Sequence, residues 1–316
     1  MNLPVQVVEA SYGWCRRMAR RSGSNFYLSF LGLPRAKRRA MDALYAFMRH
    51  TDDLADDPQP LESRREALVR WRAVLQRALQ GHFDLADQRL PPFKENQPPG
   101  RRTQRVPCRD LLPALADVVR RFAVPAEHLC TVIDGVEMDL SQRRYETFDE
   151  LRGYCERVAS AVGLACIHVW GFDGREALQP ARECGIALQL TNILRDLKED
   201  AQQDRIYLPL EELRQFDYSV EELKRGAANE RFGRLMEFQI ERAERFYRQG
   251  AELIEWLQSE GRRTFGMMMA TYRAVLEKIK RRPADVLRRR ICLSRATKLR
   301  IAARWILLPP RAVARA

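Results

Sequence analysis

Apolar residues recur along this chain at the three- and four-residue spacing of a helix, and no stretch alternates in the two-residue rhythm of a strand. Over residues 35–53, Ala40, Leu44, Phe47 and Met48 fall at helical spacing, with Pro34 at the entry. The same pattern predicts helices over 61–79, 108–122, 127–144, 148–172, 178–199, 219–257 and 264–280, and a shorter one over 296–308. The expected fold class is all-α. Residues 1–283 read as a single-domain helical bundle and residues 284–316 as a basic amphipathic tail. Residues 87–107, rich in Pro, Gln and Arg, read as a mobile surface loop inside that domain.

Composition narrows the class. Hydrophobic residues make up 46% and charged residues 31%, as expected of a soluble globular protein. No apolar run reaches the ~18 residues needed to span a bilayer. The N-terminus lacks a basic region followed by an apolar stretch, so no signal peptide is expected, and the expected location is cytoplasmic. The seven cysteines (Cys15, Cys108, Cys130, Cys155, Cys166, Cys184 and Cys292) are scattered singly, which points to reduced thiols rather than a zinc ribbon or disulfide framework. The net charge is +13, but from Lys278 onward thirteen Lys/Arg face a single acid, Asp285. The body is therefore close to neutral, and no nucleic-acid partner is expected. Neither GxGxxG, GxxxxGK[ST] nor HExxH occurs, which argues against Rossmann, P-loop and zincin chemistry.

The candidate chemistry lies in two carboxylate clusters. The first is Asp52, Asp53, Asp56 and Asp57, in which Asp52 and Asp56 share a helix face. The second places Asn192, Asp196 and Asp200 one turn apart on one face. Each follows a strongly apolar stretch, LYAFM or IALQLTNIL. Oxygen-only donors from two helices suit Mg²⁺, which shares carboxylates with phosphate oxygens. The plainer reading of either cluster is a solvated acidic helix end. Arg49, Arg195 and Arg205 flank the acids, as a diphosphate demands; local salt bridges to the same acids are the alternative, above all for Arg195.

Five blocks bring the chain close to a known family: Ser22–Phe26 (SGSNF), Tyr45–Asp56 (YAFMRHTDDLAD), Tyr154–Gly163 (YCERVASAVG), Gln189–Asp200 (QLTNILRDLKED) and Arg205–Pro209 (RIYLP). In order and spacing they resemble the squalene/phytoene synthase family of head-to-head prenyl transferases, over residues 22–279. The resemblance implies an isoprenoid synthase helical bundle around a central active-site cavity. It implies that Asp52, Asp53 and Asp56 form one metal motif and Asn192, Asp196 and Asp200 the other, for Mg²⁺ or Mn²⁺ in its place. By the same resemblance Arg49, Arg195 and Arg205 hold diphosphate, and Ser24 lies in the block that closes over it. Tyr45, Gln189 and Tyr272 match cavity positions, and Tyr154 matches the residue assisting proton removal. Plain packing is the alternative for the tyrosines. Residues 159–169 and 267–270 are suitable apolar wall.

Within the family, three segments look most like bacterial presqualene diphosphate synthases of the squalene and hopanoid route: 21–31, Asp134–Leu140 (DGVEMDL) and 288–299. This implies two farnesyl diphosphates as substrates and no nicotinamide. Phytoene synthases, using geranylgeranyl diphosphate, share every catalytic block, and a squalene synthase would complete an NADPH-dependent step. Downstream squalene-pathway enzymes are implied as partners. A non-catalytic relative would have lost the acidic motifs, and both are intact here. The 87–107 loop reads longer than usual for the family, and His50-Thr51 is an unusual pair before the first aspartate. The tail helix over 296–308 has two readings: it lies on an anionic membrane surface, at the inner face of the cytoplasmic membrane, or it packs on the bundle as a last helix.

Overall fold

A computed structural model of the chain describes residues 3–21, 25–83 and 110–307, without the side chains of 25, 26 and 28. Helices dominate, and among the described residues the only β-pairings are two isolated bridges, Arg144 with Ile206 and Phe172 with Leu257. The all-α expectation holds. The 87–107 loop and Ser24 lie outside the described residues.

The chain forms two compact units. The first holds α1 (Val5–Arg21), α2 (Asn25–Phe30), α3 (Arg35–Ala55), α4 (Leu61–Leu79), α5 (Leu112–Phe122) and α6 (Ala126–Ser141), together with Ala165–Gly171. Helix α3 is its centre, packed on α1, α4 and α5. It buries Ala40, Leu44 and Phe47 of the stripe its apolar spacing predicts, together with Met41, Ala43 and Leu54, while Met48 is only half-buried. Polar contacts fix the neighbours. The Ser11 hydroxyl donates to Asp110 O at 2.6 Å and accepts from Ala114 N at 2.9 Å, tying α1 to the start of α5.

The second unit holds Ser141–Leu164 and the described chain from Phe172 onward. It contains α7 (Phe148–Cys155), a π-helical turn (Glu156–Ser160) and the start of α8 (Ala161–Trp170). Next come α9 (Leu178–Gln202), α10 (Leu210–Gln215), α11 (Val220–Arg225), α12 (Glu230–Ala251), α13 (Leu253–Trp256), α14 (Ser259–Arg281) and α15 (Arg295–Leu307). Helix α9 is the spine of this unit, most extensively packed against α12 and the π turn. Thr191 on α9 and the Tyr247 hydroxyl on α12 bond at 2.8 Å in the buried seam. A buried ion pair between Arg242 and Glu212, joined by Gln239, anchors α10 to α12, and Arg242 stacks 3.9 Å over the Phe148 ring. Charges this deep persist only when paired and hydrogen-bonded.

Three expectations are corrected. The helix predicted over 219–257 is three helices. Gly226 ends α11 in the left-handed region at φ 70°, and Asn229 starts α12 by accepting from Phe232 N at 3.0 Å. A capping box on Ser219 and Glu222 makes α11 a separate unit. The helix predicted over 148–172 ends at Trp170 and is interrupted by the π turn. Helix α1, which carries Tyr12, Cys15 and Ala19 into the core, was not anticipated. Beyond α14, Val286, Leu287, Ile291 and Trp305 are buried, so the basic segment begins within packed structure.

Candidate active site

In the first unit the site residues lie on the last turns of α3. Arg49 donates to Asp53 at 2.7 Å, one turn on. The helix ends at Ala55, with Asp56 N bonded to Asp52 O. Four acids beside exposed C-terminal carbonyls oppose the helix dipole. Arg64 of α4 offsets this by donating to Ala55 O at 2.8 Å. His50 and Thr51, without an assigned role in the sequence, supply the mooring. The Thr51 hydroxyl donates back to Phe47 O at 2.9 Å and accepts from the Trp71 indole N–H at 3.0 Å. The buried His50 ring stands edge-on to Trp71 at 4.6 Å, and burial pushes its pKa down to about 3. Tyr45 is half-buried one turn before Arg49.

Asp52 is reached by solvent yet recessed among protein atoms. Desolvation first, then the nearby Asp56, Asp53 and Asp139 carboxylates, raise its pKa to about 7 against the pull of Arg49. Asp139, on α6, is an acid of this cluster that sequence reading had placed only in a block marking the family member. No sequence signal points to it: Asp139 lies on a helix apart from the DD motif, and only the fold brings the two within electrostatic reach.

In the second unit α9 presents a continuous polar run. Gln189 Oε1 accepts from the Asn192 amide at 3.3 Å, and the Tyr272 hydroxyl on α14 hydrogen-bonds both Asn192 and Arg195. Burial pushes the Tyr272 hydroxyl up to about 12 despite the adjacent Arg195. Arg195 grips Asp196 with two N–H groups, one at 2.8 Å and one at 2.5 Å. A second guanidinium, Arg290, reaches the same carboxylate at 2.8 and 3.3 Å. Arg290 was missed in the sequence because one arginine among thirteen basic residues has no distinguishing pattern. The Asp200 backbone carbonyl accepts the backbone N–H of Arg205 at 2.9 Å. The Arg205–Pro209 strip is laid along residues 143–146, with Ile206 N bonded to Arg143 O at 3.0 Å and Leu210 N to Tyr145 O at 2.9 Å.

That strip brings Tyr207 against Tyr154. Tyr145, Tyr154 and Tyr207 form a buried trio with ring centroids 5.3–5.8 Å apart, and the Tyr154–Tyr207 pair is stacked. Of the proposed apolar wall, Leu164, Ala165 and Ile167 are buried. Met267 and Ala270 instead pack with Trp305, Ile301 and Ala302, beneath α15.

Among the described residues no three His, Cys, Asp or Glu side chains converge closely enough to hold a metal unaided. The donors present still fit a cation that shares its shell with an anionic ligand and water. The Asp52 cluster concentrates mutually repelling carboxylates. The Asn192 Oδ1 is buried without a hydrogen-bond partner, one turn before Asp196.

Comparison with known proteins identifies the family. The family model described as squalene/phytoene synthase matches residues 19–297. The chain is 35% identical to the 15-cis-phytoene synthase of Synechococcus elongatus, over 89% of this chain and 87% of that protein. It is 36% identical to the phytoene synthase of Arthrospira platensis, with the same coverage. Among solved structures, a dehydrosqualene synthase in complex with ligand superposes with a TM-score of 0.80 at 25% identity, over 96% of this chain and 98% of that one. A squalene synthase from Alicyclobacillus acidocaldarius gives 0.75 at 24% identity, over 90% and 97%, a likeness of fold. With the family model matched over residues 19–297 and relatives 35–36% identical over most of both chains, the chain belongs to the squalene/phytoene synthase family.

Proposed function

We propose that the chain joins two prenyl diphosphates head to head, releasing diphosphate and a proton and forming a cyclopropylcarbinyl diphosphate. The observation that carries this reading is the polar run on α9, where amide, guanidinium, carboxylate and the Tyr272 hydroxyl touch one another. Asp52, Asp53 and Asp56 on α3, and Asn192, Asp196 and Asp200 on α9, would hold Mg²⁺ or Mn²⁺. The chemistry such a cation supplies is neutralisation of the leaving diphosphate. Each guanidinium has five N–H donors, so Arg195 and Arg290, which share Asp196, both keep donors for diphosphate oxygens. Arg49 and Arg205 add to that set. As the allylic C1–O bond breaks, the electron pair leaves with the diphosphate. The double bond of the second substrate attacks C1, and loss of one proton closes the three-membered ring. Tyr154 assists that proton's removal. A dry surround keeps water from quenching the cation to an alcohol.

We infer geranylgeranyl diphosphate as the favoured substrate and phytoene as the product, formed by a second ionisation and proton loss. This rests on the 35–36% identity to phytoene synthases across most of both chains. The second reading, farnesyl diphosphate taken to presqualene diphosphate, is favoured by the fit to the dehydrosqualene synthase and by the DGVEMDL block. Neither needs a nicotinamide. The test is the purified full chain with Mg²⁺ and each diphosphate in turn, with and without NADPH, products separated by chromatography and mass. Phytoene from the C20 substrate supports the first reading. Presqualene diphosphate from the C15 substrate supports the second. No C–C coupling with either removes both.

A further inference from the structure

Helix α15 has two apolar faces, and among the described residues only one of them is covered. On the inner face Trp305 is 6% exposed and rests on Gly266 and Met267 of α14, with Ile301 and Ala302 beside it. A Cβ at Gly266 would fall inside the indole ring, so this seat is shaped for the tryptophan. The outer face has no such seat. Leu299 is 62% exposed, Ile306 42% and Leu307 78%. With Ala303 they form one stripe at three- and four-residue spacing. Seven large hydrophobic side chains are exposed among the described residues, and three of the seven sit on this thirteen-residue helix, so the exposure is concentrated rather than scattered.

The charges around the stripe identify its partner. Arg295 borders it on one side, and Arg300 and Arg304 on the other. The helix has no acid, and among the described residues none of these three arginines enters an ion pair. Cations flanking an exposed aliphatic stripe suit a surface whose headgroups are anionic and whose interior is hydrocarbon. A nucleic acid would satisfy the arginines and leave the leucines in water. No helix among the described residues is long and apolar enough to cross a membrane.

We propose that the outer face of α15 is a docking surface for an anionic lipid bilayer, inserting Leu299, Ile306 and Leu307 among the acyl chains while Arg295, Arg300 and Arg304 meet the headgroups. Trp305 on Gly266 holds the helix to α14, so the rest of the second unit is carried to the surface with it. The proposal is independent of which diphosphates the protein joins.

The test is flotation of the full-length protein with vesicles of phosphatidylglycerol and phosphatidylcholine in equal parts, and with phosphatidylcholine alone. The expected result is binding to the anionic vesicles at low salt, weakened at high salt, and little binding to the neutral ones. Leu299→Gln, Ile306→Gln and Leu307→Gln together keep every charge and should lower partitioning at least about tenfold. Arg295→Gln, Arg300→Gln and Arg304→Gln together keep every apolar side chain and should lower it about a hundredfold. Circular dichroism and thermal melting of both variants should match the parent, since all six side chains point away from the core. Failure of the parent to bind either vesicle overturns the proposal. Undiminished binding by the apolar variant also overturns it, because attraction would then be electrostatic with no insertion. A parent dimer in sedimentation velocity that the apolar variant dissolves, without vesicle binding by the parent, would assign the stripe to a second copy instead.

Discussion

In the proposed mechanism the Tyr154 hydroxyl and the Tyr154 ring have separable roles. The ring is fixed by stacking on Tyr207 and by Tyr145, and phenylalanine preserves both contacts. Tyr154→Phe should therefore keep the stacked ring in place and lower kcat by about tenfold or more with little change in KM, because in the proposed mechanism the hydroxyl acts after ionisation. Steady-state kinetics decides it; an unaltered kcat returns Tyr154 to packing alone. His50 makes a different prediction. Its folded pKa of about 3 lies below the ordinary value of 6.5, so the unfolded chain binds the extra proton first. Stability from the neutral ring is complete above about pH 6.5 and is lost as pH falls toward 3. Replacing His50 with Phe keeps an aromatic ring against Trp71 and removes the titration. The unfolding free energy from urea titrations between about pH 6.5 and pH 4 should fall less steeply than in the parent, by about 1 kcal/mol per pH unit. A parallel fall in both proteins would show that His50 is protonated without cost.

At the level of elements, the positions of Tyr154, Gln189 and Asn192 depend on one close crossing. Helix α7 runs into the π turn Glu156–Ser160, and α9 crosses that turn with backbone nearly touching backbone. A Cβ on Gly185 would lie 2.6 Å from the Ser160 backbone, and the Ser160 hydroxyl donates to Arg182 O at 2.7 Å across the same crossing. Gly185→Ala must push the two elements apart. It should cost about 1–3 kcal/mol of stability and lower product formation, read by thermal melting and product assay. Ser160→Ala, which removes the bond without adding volume, should cost about 1 kcal/mol and retain more activity. Equal stability of Gly185→Ala and the parent would mean that the crossing has room to give. Such a crossing is hard to read from sequence. Helix periodicity located α3, α4 and α14 because each is amphipathic, and α9 was located by a long apolar run that is buried nearly all round. A π turn inserts one residue per turn without changing composition, so nothing in ERVAS announces it. The break between α11 and α12 was legible in principle, since Gly226 and Asn229 are ordinary stop and start signals. The apolar spacing on either side masked them.

For the molecule as a whole, the acidic motifs were legible because their spacing alone puts carboxylates on one face. The length of the prenyl chain was not, because it depends on which apolar side chains meet at depth, and a cavity wall and a core stripe have the same periodicity. Met267 and Ala270 illustrate the ambiguity: read as wall, they lie under α15. The charges suggest a test that needs neither substrate nor product. The Asp52 cluster repels itself, and Asp196 is held by two arginines that would also meet phosphate oxygens. On the proposed function Mg²⁺ alone would relieve the first, and diphosphate alone would engage the second only partly. Together they should stabilise the folded chain more than the sum of their separate effects. A ligand at about one hundred times its Kd adds about 2.7 kcal/mol, or roughly 5 °C for a chain of this size. Asp52→Asn and Asp196→Asn should each remove most of that synergy while keeping the helical spectrum. Each should also lower turnover about a hundredfold or more, and EDTA should abolish both the shift and the activity. Differential scanning fluorimetry with Mg²⁺, inorganic diphosphate, and both reads the outcome directly. Additive shifts in the parent, or full synergy in either Asn variant, would separate these carboxylates from metal and diphosphate binding.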